Sequence, residues 1–547
     1  MKKCVNLMLS FVVLILLAHL SFAQQNGKLN VIVLTDIEAD PDDTQSLIRF
    51  LTYANQWNVE GLIATTSIHQ KSRVAPESIL EVLEAYKKVQ PNLEKHQTGF
   101  PSYDELKWKV KKGLPVYGME GVGKGKDSEG SDWIVTVLEK NNNDPVWISV
   151  WGGTNVLAQA LWKIKNEKKP EEANRIYRKV RVYTISDQDD SGPWIRKTFP
   201  DLFYIVTPGY NYSQATWLGI AFNLPGSNTD VTSNEWLAKN IQQGHGPLGA
   251  AYPDVAYGME GDSPAFMNLI KNGLNDPEHP NFGGWGGRYE LYLPPFVDSN
   301  TGRFKRENWP KDEPETRPIW TNANDSIVSV IDKKSYVGNR ETIWRWRKEF
   351  QHDFAARMLW TTGEFSECNH PPIAMLAHAG HLMVRSGETF HLSAKGSSDP
   401  DGDSLTYSLE AAGKTLTSRD GKYSVTFDKP GVTDVTLNVT DANGLSSSSQ
   451  VKLIAGNEPP VVDATIIKGN QTFFFPGTPV HYAVRVSDKE DGTSVDGSIA
   501  PEAVSVTFDY LKGFDMTQIA QGHQVPSAEL PGKTLLEKSD CKSCHII

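Results

Sequence analysis

The sequence predicts an α/β domain with a Rossmann-type parallel sheet, followed by two β-sandwich modules of immunoglobulin-like size. In residues 28–365, short apolar runs alternate with segments of helical periodicity, and this alternation favours a parallel sheet with helices on both faces. After these residues the pattern changes to short segments of alternating polarity between Gly, Asp and Ser turns, which is typical of β-sandwiches. We therefore expect domains over 28–365, 370–455 and 457–511, with a polar tail over 512–547.

Residues 1–23 have the features of a secretory signal peptide. Lys2 and Lys3 precede the apolar run 7–17, and the small residues Ser21 and Ala23 stand shortly before Gln24. We expect an exported protein, in the periplasm, at the cell surface or outside the cell; an uncleaved anchor is the alternative. No later stretch is long and apolar enough to cross a membrane, so we expect no transmembrane segment after cleavage of the signal.

The overall composition restricts the class of partner. The net charge of −11 and the pI of about 5.7 argue against a nucleic acid, because nucleic-acid binding relies on basic patches. Cleavage of the signal leaves three cysteines, and Cys368 has no obvious partner, so no disulfide framework is indicated. The composition is compatible both with a monomer and with a homo-oligomer.

The first predicted strand, the apolar run 31–34, is followed within a few residues by five acidic side chains: Asp36, Glu38, Asp40, Asp42 and Asp43. A helical pattern follows directly, and the end of a parallel strand before a helix is where open α/β sheets bind ligands. Crowded carboxylates repel one another unless a cation or protons compensate, and calcium prefers flexible carboxylate sites. The alternative is a solvated acidic turn at a helix N-terminus, where carboxylates are also favourable.

Further apolar runs and periodic segments define the rest of the first domain. The predicted strands are 59–64, 146–150, 180–185 and 202–206. The predicted helices are 76–89 and 155–165, and the first of them opens with Pro76, which suits the first turn of a helix. Because the carboxyl ends of parallel strands meet at one edge of a sheet, polar residues after these strands are candidates for a common site.

Three polar segments outside the acidic stretch are such candidates. Asn155, in the Gly-rich turn 151–155, is expected to cap the helix that follows. Asp189 and Asp190 follow the strand 180–185; they either accept hydrogen bonds from vicinal sugar hydroxyls or cap a helix that starts near residue 193. Asp262 opens a later helix.

Two tryptophans in polar or Gly-rich segments are candidates for stacking on a sugar or a base. Trp194 follows the acidic segment 187–190, and Trp285 lies in the Gly-rich stretch 281–289. Gly-rich loops approach ligands closely, which favours a role in binding. The alternative for both is ordinary core packing, which should account for most of the 15 tryptophans.

The segment TDIEADPDD, residues 35–43, resembles the DxDxxxDD signature of the nucleoside hydrolases. It resembles more closely the nucleoside-hydrolase-like domain of a family of exported bacterial proteins described as cellulose-binding. The resemblance implies a nucleoside-hydrolase-like fold and an exported hydrolase that cleaves a glycosidic or N-glycosidic bond with calcium-activated water. The implied substrate is a sugar, a nucleoside or a polysaccharide. The alternative on the same fold is a non-catalytic carbohydrate-binding surface protein.

The resemblance also implies roles for individual residues. It places the calcium ion on Asp36, Glu38, Asp43, the Thr154 carbonyl and Asp262. It assigns catalysis to Glu38, Asp40 and Asp42, with Glu38 or Asp40 as the base. It assigns substrate binding to Asp42, Asn155, Asp189, Asp190, Trp194 and Trp285. Gly261 stands where the family often has a histidine, so the usual proton donor to the leaving group is missing there.

The β modules and the tail carry further motifs. Residues 391–394, 407–409 and 435–439 are predicted strands, and 399–403 resembles the acidic turn of PKD- and cadherin-like domains, which either binds calcium or is a simple β-turn. Two Asn-x-Pro-Pro segments, at 369–372 and 457–460, look like exposed linkers, so we expect 28–365 to fold alone.

Cys541, Cys544 and His545 form a CxxCH motif for attachment of haem c. The motif resembles the opening of a cytochrome c domain. It stands two residues before the end of the sequence, so we expect either a truncated domain or a vestigial motif without helices to cover a haem.

Overall fold

The structure, a computed structural model, describes residues 28–506 except 141–143, 210–211, 298–312, 378–380, 385–386, 388, 412–413, 428–430, 457–459, 469–478, 489–490 and 505. The predicted signal peptide and the haem motif lie outside the described residues. No helix in the described ranges is both long enough and apolar enough to span a membrane.

The first domain is built on an eight-stranded sheet with the order β3-β2-β1-β4-β5-β6-β8-β7. The strands are β1 Leu29–Thr35, β2 Trp57–Ala64, β3 Val110–Lys112, β4 Val146–Val150, β5 Val180–Ser186, β6 Phe203–Thr207, β7 Tyr289–Tyr292 and β8 Ile319–Asn322. Neighbouring strands pair in parallel except β7, which runs antiparallel to β8. The strand order reverses at β1, whose two neighbours β2 and β4 lead away in opposite directions, and this is where such sheets bind ligands.

Helices cover both faces of this sheet, as the sequence predicts. They are α1 Asp42–Thr52, α2 Pro76–His96, α3 Tyr103–Lys109, α4 Glu129–Leu138, α5 Asn155–Glu167, α6 Pro170–Tyr177, α7 Ser191–Thr198, α8 Asn234–Leu237, α9 Gly246–Ala250, α10 Pro264–Met267, α11 Glu341–Trp344 and α12 Arg347–Leu359. Val31 and Val33 of β1 belong to one apolar cluster, and Ile32 and Leu34 belong to another. Alternate residues therefore point to opposite buried faces, which explains the uninterrupted apolar run.

The predicted strands of the first domain agree with the observed ones to within two residues. The helix predicted over 76–89 is α2, and it continues past Pro91 to His96, because Leu93 and His96 are buried against the core. Proline is unfavourable inside a helix, and here the tertiary packing of the last turn outweighs this cost. A hairpin of β9 Asp325–Val328 and β10 Ser335–Gly338 follows the sheet and was not predicted.

The next module is a β-sandwich. Its strands are β11 His381–Val384, β12 Thr389–Ser393, β13 Thr406–Ala411, β14 Lys414–Ser418, β15 Lys422–Thr426, β16 Gly431–Thr440 and β17 Ser446–Ala455. They form a five-stranded sheet and a two-stranded sheet. Leu392 of the two-stranded sheet packs in the same core as Leu409 and Leu437 of the five-stranded sheet. The last module, in its described part, is an antiparallel sheet of β18 Val461–Lys468, β19 His481–Asp488 and β20 Gly492–Thr493.

The junction between the first domain and the sandwich is buried. His370 is 1% exposed, although the Asn-x-Pro-Pro segment that contains it was expected to be an exposed linker. A hydrogen-bonded chain crosses the junction, from Asp401 Oδ1 to His370 Nδ1 (2.7 Å), from His370 Nε2 to His96 Nδ1 (2.9 Å) and from His96 Nε2 to the Gly363 carbonyl (3.0 Å). The expectation that residues 28–365 fold alone stays a prediction. Removal of the residues after 365 would take away His370, the partner of His96.

The geometry of these three hydrogen bonds determines which nitrogen atoms of His96 and His370 carry protons. Because the Gly363 carbonyl can only accept, His96 Nε2 donates to it, and His96 Nδ1 then accepts from His370 Nε2. Burial lowers the pKa of His96, and the neighbouring His370 lowers it further. The hydrogen bond to the Gly363 carbonyl raises the pKa of His96 in part. Of the charged neighbours, Glu364 raises it and Lys95 lowers it, and these two pair with each other at 2.8 Å. His96 is therefore neutral in the folded junction at neutral pH.

Acidification should weaken this junction. Because its folded pKa is lowered, His96 contributes stability that is fully present above about pH 6.5 and is lost as the pH falls toward its folded pKa. His96→Gln should cost about 1–3 kcal/mol at pH 7, because partners in the chain are left unsatisfied. The variant should also lose less further stability than the wild type between pH 7 and pH 5 in urea denaturation.

The matched control is His391→Gln, since His391 is exposed on β12 and bonds only to Ser424 Oγ among the residues described. It should reproduce the wild-type pH dependence. The same loss from pH 7 to pH 5 in His96→Gln as in the wild type would contradict the assignment of the neutral form to His96.

Candidate functional site

The acidic stretch lies at the C-terminal end of β1, as predicted. Asp36 and Asp43 are 3% and 2% exposed, and Thr35 Oγ1 donates a hydrogen bond to Asp43 Oδ1. Asp40 Oδ1 accepts the backbone N–H of Asp42 at 2.9 Å, which fixes the turn into α1. Carboxylate oxygens of Asp40, Asp42 and Asp43 lie within 4.8 Å of one another. We call these three residues, together with Asp36 and Asp262, the carboxylate cluster.

Asp262 reaches the cluster from a distant part of the chain. It follows Gly261, whose backbone N–H donates to Asp42 Oδ2 at 3.1 Å. Asp262 is 2% exposed, and its Oδ2 has no hydrogen-bond partner among the described residues. A buried carboxylate oxygen without a donor is costly, so this oxygen is suited to a ligand that the protein itself does not supply.

The electrostatics of the cluster are those of uncompensated negative charge. Burial raises the pKa of Asp36 to about 7. Burial, and then the charges of neighbouring cluster carboxylates, raise the pKa values of Asp42, Asp43 and Asp262 well above the usual range. Within the described ranges, no Lys, Arg or His forms an ion pair with a member of the cluster. Several converging hard oxygen donors fit a calcium ion.

The structure does not bring Glu38 into the cluster. The backbone at Glu38 has φ of +78°, in the left-handed region, and the side chain is exposed. Its carboxylate pairs with Arg73 and accepts a hydrogen bond from Ser78 Oγ. Asp40 instead lies beside Asp42 and Asp43, so geometry favours Asp40 for the roles that the resemblance gave to Glu38.

The Gly-rich turn after β4 packs directly against β1. A Cβ atom at Gly152 would lie 2.8 Å from Cγ of Asp36, so only glycine permits this approach. The Thr154 carbonyl accepts the N–H of Ala158 at 2.9 Å, the first bond of α5, and keeps its second lone pair. The Thr154 hydroxyl bonds to Asp189 Oδ1 (3.0 Å) and Ser191 Oγ (2.7 Å), so the threonine is firmly held.

Asp189 serves as a cap rather than as an open acceptor. It is 1% exposed, its Oδ2 accepts the N–H of Asn155 at 3.0 Å, and its Oδ1 accepts the N–H of Ser191 at 3.0 Å. Burial raises its pKa to about 6. Asp190 lies at the exposed rim and accepts the N–H of Met119 at 2.8 Å. Asp189 thus accepts the first N–H of α5 and the first N–H of α7, while Asp190 stands at the cap position of α7. Sugar binding by these two aspartates stays a prediction.

Asn155 does not cap α5, in contrast to the prediction. It is the first residue of the helix, with Thr154 at the cap position. Its side chain accepts from Thr65 Oγ1 at 2.7 Å and donates to the Val116 carbonyl at 2.8 Å. Because Asp189 already occupies the helix end, the amide of Asn155 ties two loops together instead.

The two tryptophans singled out for stacking are both packed against apolar neighbours. Trp285 is 4% exposed in the main core, where it lies edge-on to Phe350. Trp194 packs edge-on against Phe199 below the sheet. The Gly-rich setting suggested open loops, but the glycines near Trp285 serve close packing: a Cβ at Gly286 would meet the Pro264 carbonyl at 2.5 Å.

A different tryptophan borders the carboxylate cluster, and sequence reasoning missed it. Trp217 packs over Gly261, where a Cβ atom would lie 3.1 Å from the indole ring. Its Nε1 donates to Ser186 Oγ at 3.1 Å, and its half-buried ring lies edge-on to Tyr212 and Phe222. Trp217 lies in a stretch of short turns without periodicity, so no pattern marks it. This aromatic wall stands where the resemblance places a histidine.

Comparison with known proteins supports the same fold. A family profile described as "Cellulose-binding Sde182, nucleoside hydrolase-like domain" matches residues 30–289, and a PKD domain profile matches residues 369–455. No curated protein matches the chain significantly.

Among solved structures, one similar protein is a nucleoside hydrolase-related hypothetical protein from Saccharophagus degradans that is associated with carbohydrate metabolism. It is 33% identical, with a TM-score of 0.64, over 78% of this chain and 100% of its own. The effector protein XOO4466 aligns over 61% of this chain and 93% of its own, with 8% identity and a TM-score of only 0.30. The identity and full coverage of the first relative, together with the family profile, show that this chain belongs to the cellulose-binding Sde182 family with a nucleoside-hydrolase-like domain.

Proposed function

We propose that the carboxylate cluster holds a calcium ion, that a carbohydrate binds beside it, and that the chain hydrolyses a glycosidic or N-glycosidic bond there. The observation that carries this proposal is the buried, uncompensated charge of the cluster, with the unpartnered Oδ2 of Asp262 inside it. The position of the cluster at the reversal of strand order supports a ligand site.

The residues that would hold the ion are Asp36, Asp40, Asp43, the Thr154 carbonyl and Asp262. A bound calcium ion would lower the pKa of a water molecule in its shell. Asp40 is a half-buried member of the cluster, so it is placed to accept a proton from such a water. Asp42 is also half-buried, and its carboxylate would accept hydrogen bonds from sugar hydroxyls.

The relatives support a carbohydrate ligand. The matching family is described as cellulose-binding, and the structural relative is described as associated with carbohydrate metabolism. The wall of Trp217, Tyr212 and Phe222 beside the cluster fits the apolar face of a sugar ring. We further propose that the protein is exported and acts in the periplasm, at the cell surface or outside the cell.

One observation favours a second candidate function, carbohydrate binding without catalysis. Gly261 offers no acid to the leaving group, and Trp217 fills the space beside it. General acid catalysis typically contributes about 100- to 10,000-fold, so its loss would leave a slow enzyme or a binding protein.

Calcium should stabilise the chain measurably. At a free calcium concentration of about 100 times the Kd, binding adds about 2.7 kcal/mol, which thermal unfolding detects as a higher Tm. Asp43→Asn should lose this response. In EDTA the same variant should be at least as stable as the wild type, because it removes a buried carboxyl whose ionisation is disfavoured by burial and by Asp36.

Two paired variants test the ligand assignment. Glu38→Gln should keep the calcium response, since Glu38 pairs with Arg73 outside the cluster, while Asp40→Asn should weaken it. Identical wild-type melting curves in EDTA and in excess calcium would contradict the site. If Glu38→Gln loses the rise in Tm on addition of calcium, Glu38 is a calcium ligand after all.

Turnover should depend on the leaving group. Without a histidine at position 261, a purine should depart slowly, while p-nitrophenolate needs little protonation. We therefore expect p-nitrophenyl riboside to be cleaved faster than inosine, and Asp43→Asn to abolish both activities, in assays of product release with calcium present.

Faster cleavage of inosine would show that another acid serves the leaving group. Absence of both activities, together with measurable binding of ribose or cello-oligosaccharide by calorimetry, would support the second candidate function.

A further inference from the structure

One face of α1 carries polar side chains beyond those of the carboxylate cluster. Gln45, Ser46 and Arg49 follow Asp42 at the spacings i+3, i+4 and i+7, so the four side chains share one face of the helix. Gln45, Ser46 and Arg49 are each 0% exposed. We call Asp42, Gln45, Ser46 and Arg49 the polar stripe of α1. Buried polar groups are costly without hydrogen-bond partners, so the partners of this stripe indicate its role.

All four side chains bond to one segment, residues 253–263, which ends with Asp262 and Ser263. Asp42 accepts the N–H of Gly261, and Gln45 Oε1 accepts the N–H of Glu260 at 2.9 Å. Gln45 Nε2 also donates to the Pro253 carbonyl at 3.0 Å. Ser46 Oγ bonds to Ser263 Oγ at 3.1 Å, and Arg49 pairs with the Glu260 carboxylate. The stripe therefore fastens this segment to α1 along two turns of helix.

Glu260 is the centre of this attachment. Its side chain is fully buried, and its carboxylate accepts from Arg49 Nη2 (3.1 Å), Tyr252 Oη (2.7 Å) and Ser263 Oγ (2.9 Å). The backbone at Glu260 has φ of +50°. Residues other than glycine adopt this conformation at a cost and keep it only when their surroundings impose it. The guanidinium of Arg49 is itself held, by the Phe350 carbonyl at 3.0 Å and by the ring of Phe354 at 4.1 Å.

We infer that Gln45, Arg49 and Glu260 are positioning residues that set the carboxylate of Asp262 and the N–H of Gly261 into the carboxylate cluster. Gly261 and Asp262 directly follow Glu260, so the conformation imposed on Glu260 fixes the direction in which they enter. The inference rests on the proposed calcium site. Groups that orient metal ligands typically affect metal affinity by about 10- to 100-fold.

The test measures metal affinity separately from folding. Terbium, which binds calcium sites and luminesces, is titrated into the full chain well below its Tm, with calcium as the competitor. Glu260→Gln weakens the pairing with Arg49, and Gln45→Met removes the bond to the Glu260 N–H at nearly constant volume. Each should lower terbium and calcium affinity about tenfold or more. If Glu260→Gln fails to fold, Gln45→Met carries the test, since it introduces no unpaired charge.

The matched control is Asp353→Asn. It breaks another buried ion pair, Asp353 with Arg357 (3.0 Å). In the described structure this pair bonds to Tyr53 and to the end of α1, not to residues 253–263. It should lower the urea midpoint in EDTA and leave terbium affinity unchanged.

Two results would overturn the inference, and they differ. Terbium binding by the wild type with equal affinity in Glu260→Gln and Gln45→Met would remove the positioning role and keep the metal site. No terbium binding by the wild type would remove the metal site, and the positioning role with it.

Discussion

The mutual repulsion of buried carboxylates at the end of β1 is the constraint on which this domain depends. Removing even one ionised carboxylate from water costs several kcal/mol, and Asp36, Asp43 and Asp262 are all nearly fully buried. The apolar clusters on both faces of the sheet stabilise the domain and offset the cost of these buried carboxylates. Charge arrangements that weaken the fold are typical of functional sites, which supports the ligand proposed for this cluster.

The acids around the site fall into two groups, and the division is informative. Glu260 pairs with Arg49, Asp187 with Arg196, and Glu38 with Arg73, so each of these carboxylates has a guanidinium partner. The members of the carboxylate cluster, in the part of the chain that the structure describes, have none. Arginines are thus available on neighbouring elements but point elsewhere. Among the residues that the structure describes, the carboxylates of the cluster are therefore left without a guanidinium partner, which supports the proposed calcium ion.

The sequence was sufficient for the features that depend on local pattern. The strands of the parallel sheet appear as apolar runs because both faces are buried, and their ends bring Asp36 and Thr154 to one edge. The position of Glu38 outside the cluster was not predictable, because it depends on a left-handed backbone at Glu38. The cap formed by Asp189 and the wall formed by Trp217 depend on contacts between distant segments. The polar stripe of α1 was visible in the sequence at helical spacing, but its partners were not.

The glycine at position 261 and the tryptophan at position 217 pack directly against each other beside Asp42. A Cβ atom at 261 would lie 2.7 Å from Asp42 Oδ2 and 3.1 Å from the Trp217 ring, so a histidine could not enter without displacing both. The N–H of Gly261 also donates to Asp42, which ties the glycine backbone to the cluster. Where the resemblance implies a proton donor, this chain therefore presents an aromatic surface. Under the proposed function, that surface would contact the face of a sugar ring but could not protonate a leaving group, so ligands that need no acid on that side would be favoured.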